Sequence, residues 1–471
     1  MEYIFILLAL GCILLVFNAI LVKYTSRKLK SEVKVYTYNE CLQFAKELAL
    51  LIQCKTVSNA SNIEVEEFKK FREKLKELFP NVYKKAELKI FGDGCLVYKI
   101  KGVDETRNIM LVSHHDVVSA NEKWEQEPFG GEIINGKLWG RGTVDTKTSF
   151  YAELKAMDEL LKKGVVPEVN VYIASSNNEE VAGKGIPLAV AHFKENKIKF
   201  ELTVDEGGAV INAPVPGMKA KAAMIAVHEK GRKDVKCVAK CKFGHASFTA
   251  KSDSPVVRMA KFIEEIERRK PFIRKIHPET SGMFKALVPY MSFPYRLIFA
   301  NLWLFSPLLK VLLPKLNPQG AALLGTTNTF RHIHGEKNKD VETLLFLQCV
   351  NDEDLRGDMK AIRKVARKYD IDIEEISEEY HQPTDLEDRN LLYVKEIINK
   401  VFPNVVPAPY ILPAGSDARH MTDICRCTLR FAPIDISPEQ FASVHNKNEN
   451  IDVEAIGKAV AFYKEIISNY K

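Results

Sequence analysis

The sequence lacks the cysteine spacing that marks a disulfide framework or a thiolate metal site. Its nine cysteines are irregularly spaced, include no Cys-x-x-Cys pair and would leave one unpaired. Cys237 with Cys241, and Cys425 with Cys427, invite a metal assignment, but alternation along a strand explains both pairs. We therefore interpret the cysteines as buried apolar residues.

The sequence also lacks a basic stripe with interleaved aromatic residues. The net charge of +7 is modest for 471 residues, and many of the lysines are scattered over polar helices. This distribution argues against a nucleic-acid partner. With 46% hydrophobic and 27% charged residues, the composition is that of a globular protein, and the length allows roughly three domains.

A run of 20 uncharged residues, Tyr3 to Val22, opens the chain. That length is sufficient to span a bilayer, so we expect contact with a membrane through residues 3–22. No small-residue cleavage site follows, which favours an uncleaved anchor over a removed signal peptide. Four cations follow the run instead: Lys23, Arg27, Lys28 and Lys30. By the positive-inside rule they favour a cytoplasmic enzyme body.

Beyond this segment, helical and strand patterns alternate. Residues 38–52 and 65–78 have helical periodicity, and Lys147 to Lys163 form a helix between short strand-like runs. Those runs are residues 88–91, 95–100, 108–113, 169–175 and 201–204. The alternation predicts an α/β fold with a mostly parallel sheet flanked by helices.

Potential metal ligands follow three of these strands. His114 and Asp116 come after one strand, the pair Glu179 and Glu180 after another, and Asp205 ends a third. In parallel sheets, functional groups gather outside the carboxyl ends of the strands, so we expect these residues to converge.

Asp145 and His445 complete a ligand set for two metals. Imidazole and carboxylate are the usual non-thiol zinc ligands, and one carboxylate can bridge two cations. Two metals would activate a water molecule for hydrolysis, while a nearby carboxylate carries the proton to the leaving nitrogen. We expect Glu179 and Glu180 to divide the roles of ligand and proton carrier.

Six motifs in order resemble the di-zinc aminoacylase and carboxypeptidase superfamily of metallopeptidases. They begin at residues 113 (SHHDVV), 139 (WGRGTVDTK), 178 (NEEV), 205 (DEGG), 244 (GHAS) and 415 (GSDARH). A single His-x-Asp is weak, but six motifs in order are specific. Residues 124–131 and 293–309 further resemble the branch of carboxypeptidase S and N-fatty-acyl-amino-acid synthase/hydrolase. The likeness covers about residues 40–465.

The resemblance implies a role for each metal-site residue. One Zn²⁺ ion would bind His114, Asp145 and Asp205, and a second would bind Asp145, Glu180 and His445. Glu179 would be the general acid and base, and Asp116 would orient His114 from behind. The peptide bond Asp145–Thr146 is expected to be cis.

The resemblance also implies substrate contacts. His245 would polarise the substrate carbonyl from a lid domain, in its own chain or in a partner subunit, and Asn338 matches the lid asparagine. Arg419, with the backbone of Gly415 and Ser416, would clamp the free carboxylate. The sequence departs from the pattern at Asn178, where an acidic residue is common, at Gln348, which replaces an arginine, and at Lys339-Asp340, in place of an apolar pair.

Together these features predict four segments: a membrane anchor with a basic flank (1–30), a catalytic domain in two parts (36–228 and 354–471) and an inserted α+β lid domain (229–353). The resemblance implies a lid of the dimerisation type, which makes a homodimer one expected arrangement. The anchor makes the protein single-pass. The flank charges favour a cytoplasmic enzyme, whereas the resemblance favours the lumenal or extracellular side.

The expected function is zinc-dependent hydrolysis of an amide next to a free carboxylate. N-acyl amino acids are the favoured substrates, with the reverse condensation also available. A dipeptidase or carboxypeptidase acting on short peptides is the alternative. A metal-free, receptor-like binding protein is a third class, which loss of ligands would mark; here every ligand position is filled.

Overall fold

The computed structural model describes residues 2–24, 33, 36–59, 62–63, 65–215, 217–242, 254–316, 318–336 and 339–471. The α-helices are α1 (Glu2–Tyr24), α2 (Tyr38–Ile52), α3 (Val65–Leu78), α4 (Pro80–Lys85), α5 (Lys147–Lys162), α6 (Gly185–Glu195), α7 (Pro255–Arg269), α8 (Pro278–Leu287), α9 (Phe293–Phe299), α10 (Leu302–Leu316), α11 (Pro318–Ala322), α12 (Asp352–Tyr369), α13 (Arg389–Val401), α14 (Pro438–Ala442) and α15 (Val453–Asn469).

The strands are β1 (Ser58–Asn59), β2 (Asn62–Ile63), β3 (Glu87–Phe91), β4 (Cys95–Ile100), β5 (Asp104–His114), β6 (Ile133–Ile134), β7 (Lys137–Trp139), β8 (Val169–Ser176), β9 (Phe200–Asp205), β10 (Val210–Ile211), β11 (Ala222–Glu229), β12 (Gly231–Ala239), β13 (Thr327–Gly335), β14 (Val341–Cys349), β15 (Asp372–Glu379), β16 (Val406–Leu412), β17 (Cys425–Arg430), β18 (Asp435–Ile436) and β19 (Asn450–Asp452). Each helix and strand predicted above is present, with ends that differ by at most a few residues.

Local sequence explains how α2 begins. The Thr37 hydroxyl accepts a hydrogen bond from the Glu40 backbone N–H, and the Glu40 carboxylate accepts one from the Thr37 N–H at 2.7 Å. This capping box satisfies two backbone donors that the first helical turn leaves free. One face of the helix, which includes Phe44, Leu48 and Ile52, is buried in the main core.

The main sheet in the described residues has ten strands in the order β18-β10-β11-β17-β9-β5-β8-β4-β3, with β16 paired to β11. The central block β17-β9-β5-β8 is parallel, whereas β4 and β3 add antiparallel pairs at one edge. The chain is therefore an α/β protein with a mixed central sheet.

Both faces of the sheet are covered, as a parallel sheet requires. On β5, Ile109 and Leu111 face the core that contains α2, α5 and α15, while Met110 and Val112 face a second cluster that contains α6. This explains the unbroken apolar run at the end of β5. The polar residues that follow these parallel strands lie at the carboxyl ends of the sheet, outside the two apolar clusters.

A second sheet of four strands, β13-β14-β12-β15, packs against α7 and α12 around its own apolar core. Its last strand, β15, pairs with β12 along the full strand and ends at Glu379. The sheet thus continues past residue 353, the boundary expected for the inserted domain. The physical reason is that α12 buries Leu355, Met359 and Ile362 in this core, while β15 is held by its backbone pairing with β12.

The N-terminal helix α1 packs on the helical insertion that follows α8. Asn18 Nδ2 donates to Asn301 Oδ1 at 3.1 Å, and Asn301 Nδ2 donates to the Leu15 carbonyl at 3.1 Å. These contacts place α1 beside the connection between α9 and α10.

Among the helices of the described residues, none is by itself long and apolar enough to cross a membrane. The apolar helix identified within α1, Ala9–Lys23, is shorter than the roughly 20 residues that a span needs. Phe293–Phe299 and Leu302–Lys315, bent by 102°, meet the length and composition criteria only as a pair. The predicted transmembrane helix at residues 3–22 is therefore not supported, and the location of the protein stays a prediction.

Candidate metal centre

Asp145 lies between two histidines. Its Oδ1 is 2.9 Å from His114 Nε2, and its Oδ2 is 3.0 Å from His445 Nε2. His445 Nε2 is also 2.9 Å from Glu180 Oε2. Donor atoms of His114, Asp145 and Glu180 all lie within 4.8 Å of one another. Residues from distant parts of the chain thus converge as expected, and the Asp145–Thr146 peptide bond is cis.

Asp116 holds two parts of this centre together. Its backbone carbonyl is 3.0 Å from His114 Nδ1, and its carboxylate is 3.4 Å from the same nitrogen. The carboxylate also accepts backbone hydrogen bonds from Glu179 and Glu180, each at 3.2 Å, and one from the Ser58 hydroxyl. Asp116 therefore orients the His114 ring and fixes the backbone of the glutamate pair.

Asp205 is placed by backbone donors. At the end of β9, its carboxylate accepts hydrogen bonds from the Glu206 N–H at 2.8 Å and the Ala418 N–H at 2.7 Å. These two bonds hold Asp205 to the backbone. The histidines of the centre contact Asp145 instead, and His445 also contacts Glu180. His115, which follows His114, is a packing residue: it is buried and stacks on Phe71 with ring centroids 5.1 Å apart.

Neighbouring carboxylates raise the pKa of both imidazoles of the centre. Hydrogen bonds to Asp145 and Glu180 raise the pKa of His445 to about 10. For His114, burial opposes protonation, but its contacts with Asp116 and Asp145 raise the pKa well above the usual range. Burial also opposes ionisation of Asp145, yet the bonds from both histidines lower the pKa of this carboxyl. Without a metal ion, the positive charge of the protonated imidazoles therefore balances the negative charge of Asp145.

At the other carboxyl groups of the centre, burial outweighs the neighbouring donors and positive charges. Burial raises the pKa of Asp205 to about 7, and the neighbouring charge of Asp417 contributes. Burial also raises the pKa of Glu179, Glu180 and Glu206, with nearby carboxylates adding to the effect in each case. An excess of buried negative charge among imidazole nitrogens and carboxylate oxygens suits divalent cations such as Zn²⁺. The residues therefore fit a metal centre.

The predicted substrate clamp, Gly415 to Arg419, lies at a buried ion cluster. Glu229 accepts hydrogen bonds from the Ser416 N–H at 3.2 Å and the Ser416 hydroxyl at 3.1 Å. Arg430 Nη2 lies 3.1 Å from the same carboxylate, and Arg419 Nη1 lies 3.8 Å from it. A Cβ atom at Gly415 would be 2.3 Å from Arg419 Nη1, so a larger residue here would have to displace the guanidinium.

Two predicted substrate contacts, His245 and Asn338, lie outside the described residues. The departures from the family pattern all lie in the described residues and make polar contacts. Gln348 Nε2 donates to the Pro413 carbonyl at 2.9 Å, just before the clamp, and Asn178 Oδ1 accepts from the Gly185 N–H at 3.3 Å. At the third, Asp340 Oδ1 accepts a hydrogen bond from the Cys241 N–H at 2.7 Å.

Sequence reasoning missed four carboxylates around the site: the half-buried Glu206 and the buried Glu229, Asp417 and Glu449. Glu206 and Asp417 stand inside motifs at residues 205 and 415, so their motif positions could have identified them. Glu449 follows His445 by four residues, which is a weaker signal. Glu229 gives no local signal, because its partners Ser416 and Arg430 lie more than 180 residues away.

The fold and the cluster of imidazole and carboxylate groups define a metal-dependent hydrolase. The family model for Peptidase family M20/M25/M40 matches residues 110–469, and the chain belongs to this family.

Among curated proteins, the chain is 30% identical to Probable carboxypeptidase S-like 2 of Dictyostelium discoideum, over 97% of this chain and 91% of that protein. It is 29% identical to the N-fatty-acyl-amino acid synthase/hydrolase PM20D1.1 of Danio rerio, over 89% and 84% of the two chains. Among solved structures, the M20 family metallo-carboxypeptidase Sso-CP2 from Sulfolobus solfataricus matches 90% of this chain and 98% of its own, with a TM-score of 0.64 and 19% identity. The resemblance seen in the sequence is confirmed.

Proposed function

We propose that this chain hydrolyses an amide bond next to a free carboxylate, with two Zn²⁺ ions held by His114, Asp145, Glu180, Asp205 and His445. The position of Asp145 carries the proposal, because its two carboxylate oxygens each face a different histidine. A carboxylate in that position can give one oxygen to each of two cations. Bound zinc would lower the pKa of a water molecule and polarise the scissile carbonyl.

Glu179 performs the proton transfers in this proposal. Its backbone N–H donates to Asp116, and burial raises the pKa of its carboxyl group well above the usual range. A carboxyl group of raised pKa suits both tasks: it accepts a proton from the attacking water and delivers it to the leaving nitrogen. Glu180, whose carboxylate contacts His445, serves as the ligand of the pair.

Arg419 and the backbone of Gly415 and Ser416 bind the free carboxylate of the substrate. Support comes from the buried Glu229, which holds Ser416 by two hydrogen bonds and lies 3.8 Å from Arg419. A guanidinium fixed in this way is preorganised for a carboxylate. The substrate class is therefore an acid with an adjacent amide, such as an N-acyl amino acid or a short peptide.

An apolar acyl chain is the favoured second half of the substrate. The helices of residues 278–316 pack on β16 through an apolar cluster that contains Phe284, Leu287, Phe299 and Ala408. Strand β16 leads directly into the clamp, so this apolar cluster and the carboxylate site adjoin along one strand. The Danio rerio relative, by its name, acts on N-fatty-acyl amino acids. Because hydrolysis and condensation share one transition state, the same site could also join a free acid and an amine with release of water.

An activity screen tests the proposal. Purified full-length chain is assayed against N-acyl glycines and N-acyl phenylalanines of graded chain length and against dipeptides, with added zinc and with chelator. Glu179→Gln, purified in the same way, controls for contaminating hydrolases. We expect zinc-dependent release of the free amino acid, faster for long acyl chains than for acetyl.

Two outcomes would revise the proposal. Preference for dipeptides or C-terminally free peptides over all N-acyl amino acids would replace the acyl substrate with the peptidase alternative. Activity of the wild type that survives the chelator but is absent from Glu179→Gln would contradict the metal-dependent mechanism itself.

A further inference from the structure

Glu449 is a fully buried carboxylate surrounded by hydrogen-bond donors from one loop. Its Oε1 accepts from the backbone N–H of Val144 at 2.7 Å and of Asp145 at 3.1 Å. Its Oε2 accepts from the Gly142 N–H at 3.1 Å and from Arg141 Nη1 at 2.8 Å. Four donors from residues 141–145 therefore converge on one side chain.

This arrangement fixes the conformation of the loop. A buried charge is costly unless it is paired and hydrogen-bonded, and here Arg141 supplies the opposite charge while three backbone N–H groups supply the remaining bonds. The dependence is mutual, because those N–H groups would otherwise be buried without acceptors. Glu449 thus holds the backbone that carries Asp145.

The same segment also supplies a histidine of the centre. His445 precedes Glu449 by four residues, and β19, which begins at Asn450, pairs with β7. The Gly140 N–H donates to the Glu449 carbonyl at 2.9 Å, which extends this pairing into the loop. One short segment therefore delivers His445 and holds the Asp145 loop in place.

We propose that Glu449 is a positioning residue of the metal centre: it sets the distance between Asp145 and His445 and so governs metal affinity at both positions. The inference rests on the proposed function, in which Asp145 bridges two ions. Residues that orient ligands commonly change metal affinity by about 10- to 100-fold, and we expect Glu449→Gln to weaken zinc binding by that factor.

The amide of Glu449→Gln keeps the side-chain size but cannot make the four bonds. Since every neighbour of the carboxylate is a donor, the NH₂ group must face either the pair Val144 and Asp145 or the pair Arg141 and Gly142. Glu153→Gln is the matched control, because Glu153 is equally buried but accepts a hydrogen bond from Ser113 and none from this loop. Burial raises the pKa of Glu153 well above the usual range, so the neutral amide is tolerated there.

Zinc affinity is measured on full-length proteins by competition with a chromophoric chelator, with circular dichroism as the test of folding. The visible spectrum of the Co²⁺-substituted proteins reports coordination geometry independently of activity. We expect Glu449→Gln to lose affinity and to change the Co²⁺ spectrum, while Glu153→Gln matches the wild type. Wild-type affinity and spectrum in a folded Glu449→Gln protein would overturn the proposal.

If Glu449→Gln does not fold, Glu449→Asp carries the test. Its shorter side chain keeps the charge but cannot reach both pairs of donors, so affinity should again fall, and unchanged affinity in this folded variant would likewise overturn the proposal. A wild-type protein that binds no zinc would instead contradict the proposed function. The two failures are therefore distinguishable.

Discussion

At the carboxyl ends of β5, β8 and β9, buried carboxyl groups face two imidazoles and one another, and the pKa values of Asp205 and Glu179 are raised. At the end of β11, beside β16, the buried Glu229 carboxylate instead faces Arg430 Nη2 at 3.1 Å and Arg419 Nη1 at 3.8 Å. It also accepts two hydrogen bonds from Ser416. The first region, the metal centre, depends on ions that the chain does not supply. In the second region, the clamp, the buried carboxylate is paired with arginines and donors of the chain itself and needs no added ion.

This difference predicts separate consequences for the two regions. Changes at the metal centre should alter metal content and catalytic rate, whereas changes at the clamp should alter substrate affinity and leave metal content intact. The predictions below run from the largest expected effect to the smallest.

Asp145→Ala should abolish binding of both ions and reduce turnover to the assay background. The reason is that one carboxylate contacts both histidines of the centre. Asp205→Ala, which removes a carboxylate held by the backbone, should mainly weaken one position. Metal analysis of the purified variants decides, and two full zinc equivalents in Asp145→Ala would disprove the bridging role.

Glu179→Gln should keep normal zinc content and lower kcat by roughly two to four orders of magnitude, because an amide cannot transfer the proton. Glu180→Gln should lower zinc occupancy, since its carboxylate contacts His445 at 2.9 Å. The paired measurement is kcat against zinc per chain. An exchange of the two phenotypes would reverse the assignment of the glutamates.

His245→Ala should lower kcat by about two to three orders of magnitude, with little change in KM or zinc content, if this residue stabilises the transition state. Mixing inactive His245→Ala with inactive Glu179→Gln tests whether His245 acts in the site of its own chain or in that of a partner subunit. In a dimer with shared sites, each mixed dimer regains one complete site. Lack of recovery despite confirmed subunit exchange would place His245 in its own chain's site.

Arg419→Ala should raise KM by about ten- to a hundred-fold without loss of zinc, because a hydrogen-bonded charge pair with the substrate is lost. Steady-state kinetics with an N-acyl amino acid and with its amide separate the effects. The amide, which has no free carboxylate, should respond little to the substitution. Equal damage for both substrates would mean that Arg419 stabilises the fold around Glu229 and does not bind the carboxylate.

The metal-free protein should lose stability as pH rises from about 4 to 7. The folded pKa values of Asp205 and Asp417, about 7 and about 6, exceed the ordinary value of 3.8, so the folded state holds protons that the unfolded state has released. Thermal unfolding with chelator present should show a midpoint that falls by a few degrees over this range. Asp205→Asn should flatten the curve, and an equally steep curve in that variant would assign the effect elsewhere.

Local sequence was sufficient for much of the fold and of the site. The capping box and the apolar face of α2 are both visible in the sequence. His114, Glu179 and Asp205 each follow or end a strand that is marked by an apolar run. Their convergence follows from the parallel order of those strands.

What sequence could not provide are contacts between distant segments. Glu449 and Arg141 lie 308 residues apart, and no local pattern links them. The strand β15 is acidic and largely exposed, so it lacks the alternation that would have assigned it to the second sheet. Its place is set by pairing with β12, where Lys233 contacts Glu375 and Glu378.

The most direct test of the two-metal centre is anomalous diffraction from crystals of the zinc-loaded protein, recorded on both sides of the zinc absorption edge. We predict two anomalous peaks, one beside His114 and one beside His445, with the Asp145 carboxylate between them. A single peak, or two peaks that do not share Asp145, would contradict the account.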